Sequence, residues 1–112
     1  MEHRKFNDFK TIENKVLWLL EQHPHLRDGD DRLYSRYIAY QLGNGDFDSG
    51  TKKLEEMTAK KLLYMIVDNQ IVNYDTVSRA RRKIQENNPH LRGLSYAKRK
   101  AESDHWRKNI NK

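Results

Sequence analysis

Apolar residues along this chain recur at steps of three and four, the spacing of one buried helix face. Phe9, Ile12, Val16, Leu19 and Leu20 form the first such stripe and predict a helix over residues 9–23. Asp8 is its expected N-cap, and Pro24 ends it, because a proline drives the residue before it out of helical geometry. Leu33, Tyr34, Tyr37, Ile38 and Leu42 predict a second helix over residues 32–42, capped by Asp30 or Asp31. Gly43 is expected in the left-handed position that closes many helices. Residues 44–50 read as a loop by composition, and residues 51–57 as about one helical turn. Thr58 is the expected cap of a third helix, with Met57 and Leu62 as a hydrophobic staple and Leu62, Leu63, Ile66 and Val67 as its core face. Residues 70–73 connect it to a fourth, with Ile71 and Val72 tucked inward. The fourth helix is predicted over residues 76–87, with Asp75 or Asn73 as cap and Val77, Ala80 and Ile84 inward, and Pro89 ends it. No alternating hairpin follows, which argues against a winged helix. The predicted architecture is an all-α domain of four or five helices over residues 1–93, with a basic helical extension over residues 94–112.

One stretch repeats. Glu21-Gln22-His23-Pro24-His25-Leu26-Arg27 is echoed by Glu86-Asn87-Asn88-Pro89-His90-Leu91-Arg92. A duplicated unit is one reading. The flanking sequences do not match, which favours the other: two helix stops, each followed by a leucine that tucks under the helix end.

Charge changes the picture. Residues 76–112 hold eleven Lys/Arg against three acids, a net of +8. The other eleven bases face thirteen acids, a net of −2, and the whole chain carries +6. A near-neutral body with a concentrated basic segment is the electrostatic footprint of a nucleic-acid binder, because a polyphosphate rewards clustered cations through counterion release. The predicted fourth helix carries much of that charge. Arg79, Arg82 and Lys83 are candidate groove contacts, Gln85 could reach adenine, and Thr76, Ser78 and Arg81 are candidate phosphate contacts. Lys98, Arg99 and Lys100 in the extension are candidate auxiliary backbone contacts, interleaved with aromatics that could stack on bases.

The third helix, the short connection and the basic fourth helix have the outline of a helix-turn-helix over residues 58–87. The stretch Thr76-Val77-Ser78-Arg79-Ala80-Arg81-Arg82-Lys83-Ile84-Gln85 resembles the segment that opens the presumed recognition helix in small phage and prophage helix-turn-helix proteins. The resemblance covers residues 54–92 and implies phage origin and DNA binding; together with the charge pattern, the expected function is a regulator of transcription or replication that binds double-stranded DNA in the cytoplasm of a bacterial host, at the nucleoid. The usual glycine of the turn is missing, with Gln70-Ile71-Val72 in its place.

Other chemistries find little support. The chain has no cysteine, hence no disulfide and no thiolate zinc site. No apolar run reaches the roughly 18 residues a membrane span needs, so a soluble, intracellular protein without a membrane partner is expected. Asn44, Asp46, Asp48 and Glu55 mimic a calcium loop, but Gly50 falls one position late. Neither a metal nor a cofactor is expected. No nucleophile elbow, phosphate loop or metal-spaced His-Glu pair is present, so an enzyme is not expected. The chief rival is a protein-interaction module that binds and inhibits a host protein, with surplus aromatics such as Tyr64 facing the partner. RNA binding is a third option. A homodimer is left open.

Overall fold

The computed structural model describes residues 5–94, 96, 101 and 102. The fold is all-α: α1 (Ile12–Gln22), α2 (Asp30–Leu42), α3 (Phe47–Glu56), α4 (Ala59–Val67) and α5 (Tyr74–Asn87), with short 3₁₀ turns at Phe6–Asp8, Pro24–Leu26 and Pro89–Leu91. The core lies between α1, α2 and α5. Val16, Leu19 and Leu20 of α1 meet Leu33 and Tyr37 of α2 and Val77 and Ile84 of α5, and Phe6 closes one end. The Phe6 ring stands edge-on to Tyr37 at 4.9 Å and stacks on Tyr40 at 5.1 Å. Such pairs add to the burial of their area.

Local chemistry explains where each helix starts. Thr11, not Asp8, caps α1, its hydroxyl accepting from Asn14 N at 3.1 Å. Asp8 instead closes the turn before it, accepting from Lys5 N at 2.7 Å. Gly29 occupies the N-cap of α2, so Asp30 falls inside the first turn with its carboxylate free for another task. The expected loop at residues 44–50 is largely helical: Asp46 caps α3 by accepting from Asp48 N at 3.2 Å, and the helix runs its full ten residues. With residues 47–56 helical, residues 44–55 do not form the twelve-residue loop that such a calcium ligand set requires. Thr58 and Asn73 cap α4 and α5 as expected, accepting from Lys61 N at 3.1 Å and Thr76 N at 2.9 Å.

Two asparagines do the work expected of glycine. At the end of α2 the left-handed residue is Asn44, φ 52°, not Gly43, φ −85°. Gly45 N reaches Tyr40 O at 2.8 Å and Asn44 N reaches Gln41 O at 3.2 Å, the paired bonds of a Schellman stop. Gly43 is needed for space: a Cβ there would sit 1.9 Å from Asp46 O. After α4, Asn69 at φ 62° plays the same role, with Gln70 N on Met65 O at 2.8 Å and Asn69 N on Ile66 O at 3.1 Å. Asparagine tolerates this region, which is why the connection needs no glycine. The connection is then pinned to α2. Ile71 is buried, Tyr34 donates to Val72 O at 2.8 Å, and Gln41 both accepts from Val72 N at 3.1 Å and donates to Gln70 O at 3.3 Å.

The repeated heptapeptide forms the same structure twice. His23 and Asn88 leave their helices at φ −131°, ψ 84° and φ −133°, ψ 84°. The proline starts a 3₁₀ turn, Leu26 and Leu91 are buried, and the arginine folds back seven residues: Arg27 Nε donates to Leu20 O at 2.8 Å, Arg92 Nε to Gln85 O at 2.6 Å. Two helix stops with tucked leucines account for the echo. The two ends also meet, since Gln85 Nε2 donates to Arg27 O at 2.8 Å and to Leu91 O at 3.2 Å.

The helix pair over residues 58–87 departs from expectation. α5 packs on α1 and α2, and α4 forms no more than marginal contacts with any other element. No residue of α4 is buried. An open groove of about 740 Å³ separates it from the ends of α2 and α3, lined by Leu42, Met57 and Met65 among others. The helices of the expected motif therefore follow one another in the chain without bracing each other. The brace for α5 comes from α1 and α2.

Candidate nucleic-acid interface on the fifth helix

α5 is anchored by two kinds of side chain. Val77 and Ile84 are buried against the apolar core, with Ala80 partly covered. Beside them Ser78, Arg81 and Gln85 are also buried, each 5% exposed or less. At 100° per residue, Arg81 lies near the middle of the buried arc. The inward direction is therefore turned away from the centre of the apolar stripe, toward the N-terminus of α2.

Asp30 draws it there. Arg81 Nε pairs with its Oδ1, and Ser78 Oγ donates to Oδ2 at 2.8 Å. Arg81 Nη1 then donates to Gln85 Oε1 at 2.9 Å, and the Gln85 amide passes its own hydrogens to the two helix-stop carbonyls. Burial pushes the Asp30 carboxyl up, but the hydrogen bonds from Arg81 and Ser78, with the positive charge of Arg81 and Arg82, outweigh it and hold the group below its ordinary value of 3.8. A buried polar network costs little only when its members are satisfied, and each of these four side chains has a partner.

The sequence-derived contact set therefore divides. Ser78 and Arg81, expected on phosphates, and Gln85, expected on adenine, point inward and hold the fold together; that assignment is corrected by their burial. Arg79, Arg82 and Lys83 are exposed as expected. Arg79 lies 3.7 Å from Asp75, with both side chains about three-quarters exposed, and Lys83 lies 3.5 Å from Glu13. Arg82 leans back to Ser78 Oγ at 3.4 Å. Thr76 is partly exposed, and its hydroxyl donates to the capping Asn73 at 2.9 Å. Lys98, Arg99 and Lys100 lie outside the described residues.

Sequence reasoning missed Asp30 as the partner of Arg81. The signal was present as a second stripe, Ser78, Arg81 and Gln85 at steps of three and four. It was polar, and so read as surface. The other large feature it missed is on α4. Leu63, Tyr64 and Val67 are 61%, 58% and 74% exposed: Tyr64 faces outward as expected of a surplus aromatic, whereas Leu63 and Val67, expected in the core, lie outside it.

Among the described residues no helix is long and apolar enough to cross a membrane, and no group of three His, Asp or Glu is placed to hold a metal ion. No protein-family model, curated protein or solved structure matches the chain.

Proposed function

We propose that this protein binds double-stranded DNA through the outer face of α5, as a phage-type regulator of transcription or replication. The observation that carries the reading is that Arg79, Arg82 and Lys83 project together from a helix held in place by a partly buried ion pair. Binding gains from such preorganisation, because less freedom is lost on contact. The neighbouring acids do not cancel these cations. Ion pairs as exposed as Arg79–Asp75 and Lys83–Glu13 are worth about 0–1 kcal/mol and are screened by salt, so a phosphate can displace the carboxylate. Thr76, at the start of the helix, gives its hydroxyl proton to Asn73 and adds no donor, while the basic segment continues in sequence to Lys98, Arg99 and Lys100. The contact helix on this reading is braced by α1 and α2, and no packed helix-turn-helix pair is required.

The test is fluorescence anisotropy with random-sequence duplex across a salt series. Replacing Arg79, Arg82 and Lys83 together by alanine should weaken binding and reduce the dependence of log K on log salt by about 2.7, as expected for three lost phosphate neutralisations. A duplex affinity and slope unchanged by the triple substitution would reject the assignment. Binding to RNA in preference to DNA would move the same surface to the third reading. The exposed apolar residues of α4 favour a second, separate property: a surface that binds protein.

A further inference from the structure

We propose that the outer face of α4 is a self-association surface, pairing antiparallel with α4 of a second copy about a two-fold axis between Leu63 and Tyr64. On the helix the exposed stripe consists of Lys60, Leu63, Tyr64 and Val67, which fall within about 100° of arc. The more covered residues, Leu62, Met65 and Ile66, take the other side. Three large apolar side chains more than half exposed on a single short helix, none of whose residues is buried, form a contiguous patch of the kind that marks an interface.

Charge selects the occupant. The stripe begins at the cation Lys60 and ends beside the exposed acid Asp68 and the carbonyl end of the helix; its three other members are uncharged, and Lys61 borders it on the Asp68 side. Under an antiparallel two-fold, Lys60 of each copy is level with Val67 of the other and within reach of its Asp68. Both cations also meet the negative end of the opposing helix dipole. A parallel arrangement would set Lys60 against Lys60. The surface is thus its own complement, which a closed two-fold contact requires. Lys60 lies 5.8 Å over the Tyr64 ring, which positions it along the seam.

Size sets the strength. The three apolar side chains expose on the order of 400 Å² per copy, about half of what each partner contributes to a standard interface. The pair should therefore be concentration-dependent.

The test uses the full chain without nucleic acid, so its outcome is separate from that of the DNA reading. Sedimentation equilibrium from about 5 to about 500 µM, a range suited to weak association, should show a monomer–dimer equilibrium. Val67→Lys should lower the association constant roughly tenfold or more, because it replaces an apolar contact at the end of the seam by a cation level with Lys60 of the other copy. Lys60→Glu should weaken it several-fold and Lys60→Glu with Asp68→Lys should restore it, since the reversed pair keeps the same register. In this cysteine-free chain, Leu63→Cys should oxidise to a covalent dimer while Lys52→Cys on α3 does not, because only cysteines near a two-fold axis approach within bonding distance. Circular dichroism confirms that each variant is folded. A monomer at every concentration, a dimer indifferent to Val67→Lys, or a monomer that captures a host protein through this stripe would each overturn the proposal.

Discussion

Replacing Asp30 by alanine is the sharpest test of how α5 is held. The substitution strands Arg81, whose side chain is 7% exposed, without its counter-ion, and removes the acceptor of Ser78. Breaking a buried pair by deleting one partner costs about 3–5 kcal/mol. Asp30 itself is 20% exposed, so some water already reaches the pair, and the lower end of that range, about 3 kcal/mol, is expected. Against a total stability of about 5–15 kcal/mol this is a large loss, equivalent to roughly 12 °C in Tm. Arg81→Met should cost less, about 2 kcal/mol, because the stranded Asp30 can rehydrate and methionine refills the apolar volume. The two changes together should cost less than their sum by about 1–2 kcal/mol, the signature of direct coupling. Urea unfolding at neutral pH, followed by far-UV circular dichroism, measures all three. Additive single effects, each below about 1 kcal/mol, would mean that Arg81 is not committed to Asp30 and is free for a ligand. The same variants separate fold from function: under conditions where Arg81→Met is folded, its affinity for duplex should match that of the parent chain.

Three further outcomes follow from the same packing. Because Asp30 is held below its ordinary value of 3.8, its contribution to stability is complete above that value and is lost as pH falls through the depressed one; an acid titration of Asp30→Asn should lack that final loss. Leu26→Ala and Leu91→Ala, each emptying a buried site in an identical helix stop, should cost similar amounts, about 2–5 kcal/mol by urea unfolding. Gly50→Ala should be more damaging than its size suggests, since a Cβ would fall 1.5 Å from Ala39 O and force α3 away from α2; a cooperative melt with unchanged Tm would contradict that close approach.

Most of the helices could be read from the chain because their signals are local. The stripe of Val16, Leu19 and Leu20, the caps Thr58 and Asn73, and the stops at Pro24 and Pro89 each act within a few residues. α3 was hidden because Gly50, Asp46 and Asp48 look like turn residues. In the fold, Asp46 is the cap and Gly50 the point of closest approach to α2. Glycine at a helix crossing and glycine in a loop are the same letter, and only the neighbouring backbone decides between them. α4 failed differently. Its period identified a helix correctly, but a period says only that one face is apolar. It does not say that this chain supplies the covering surface.

The basic pattern of α5 shows the same limit at the candidate site itself. Ser78, Arg79, Arg81, Arg82, Lys83 and Gln85 are adjacent in sequence and look like one cluster of polar contacts. Helical phase sorts them into two. Ser78, Arg81 and Gln85 turn toward Asp30 and the two helix stops, while Arg79, Arg82 and Lys83 turn toward solvent. The inner set depends on a partner 48 to 51 residues away, beyond the reach of any local rule. Another chain sharing the whole pattern would therefore share two things with different consequences. The inner residues would predict a common way of fastening the helix, and the outer ones a common ligand. A sequence that kept Ser78, Arg81, Gln85 and Asp30 but replaced the three outer cations should fold as this one does and lose affinity for duplex, which makes the outer cations alone the test of function.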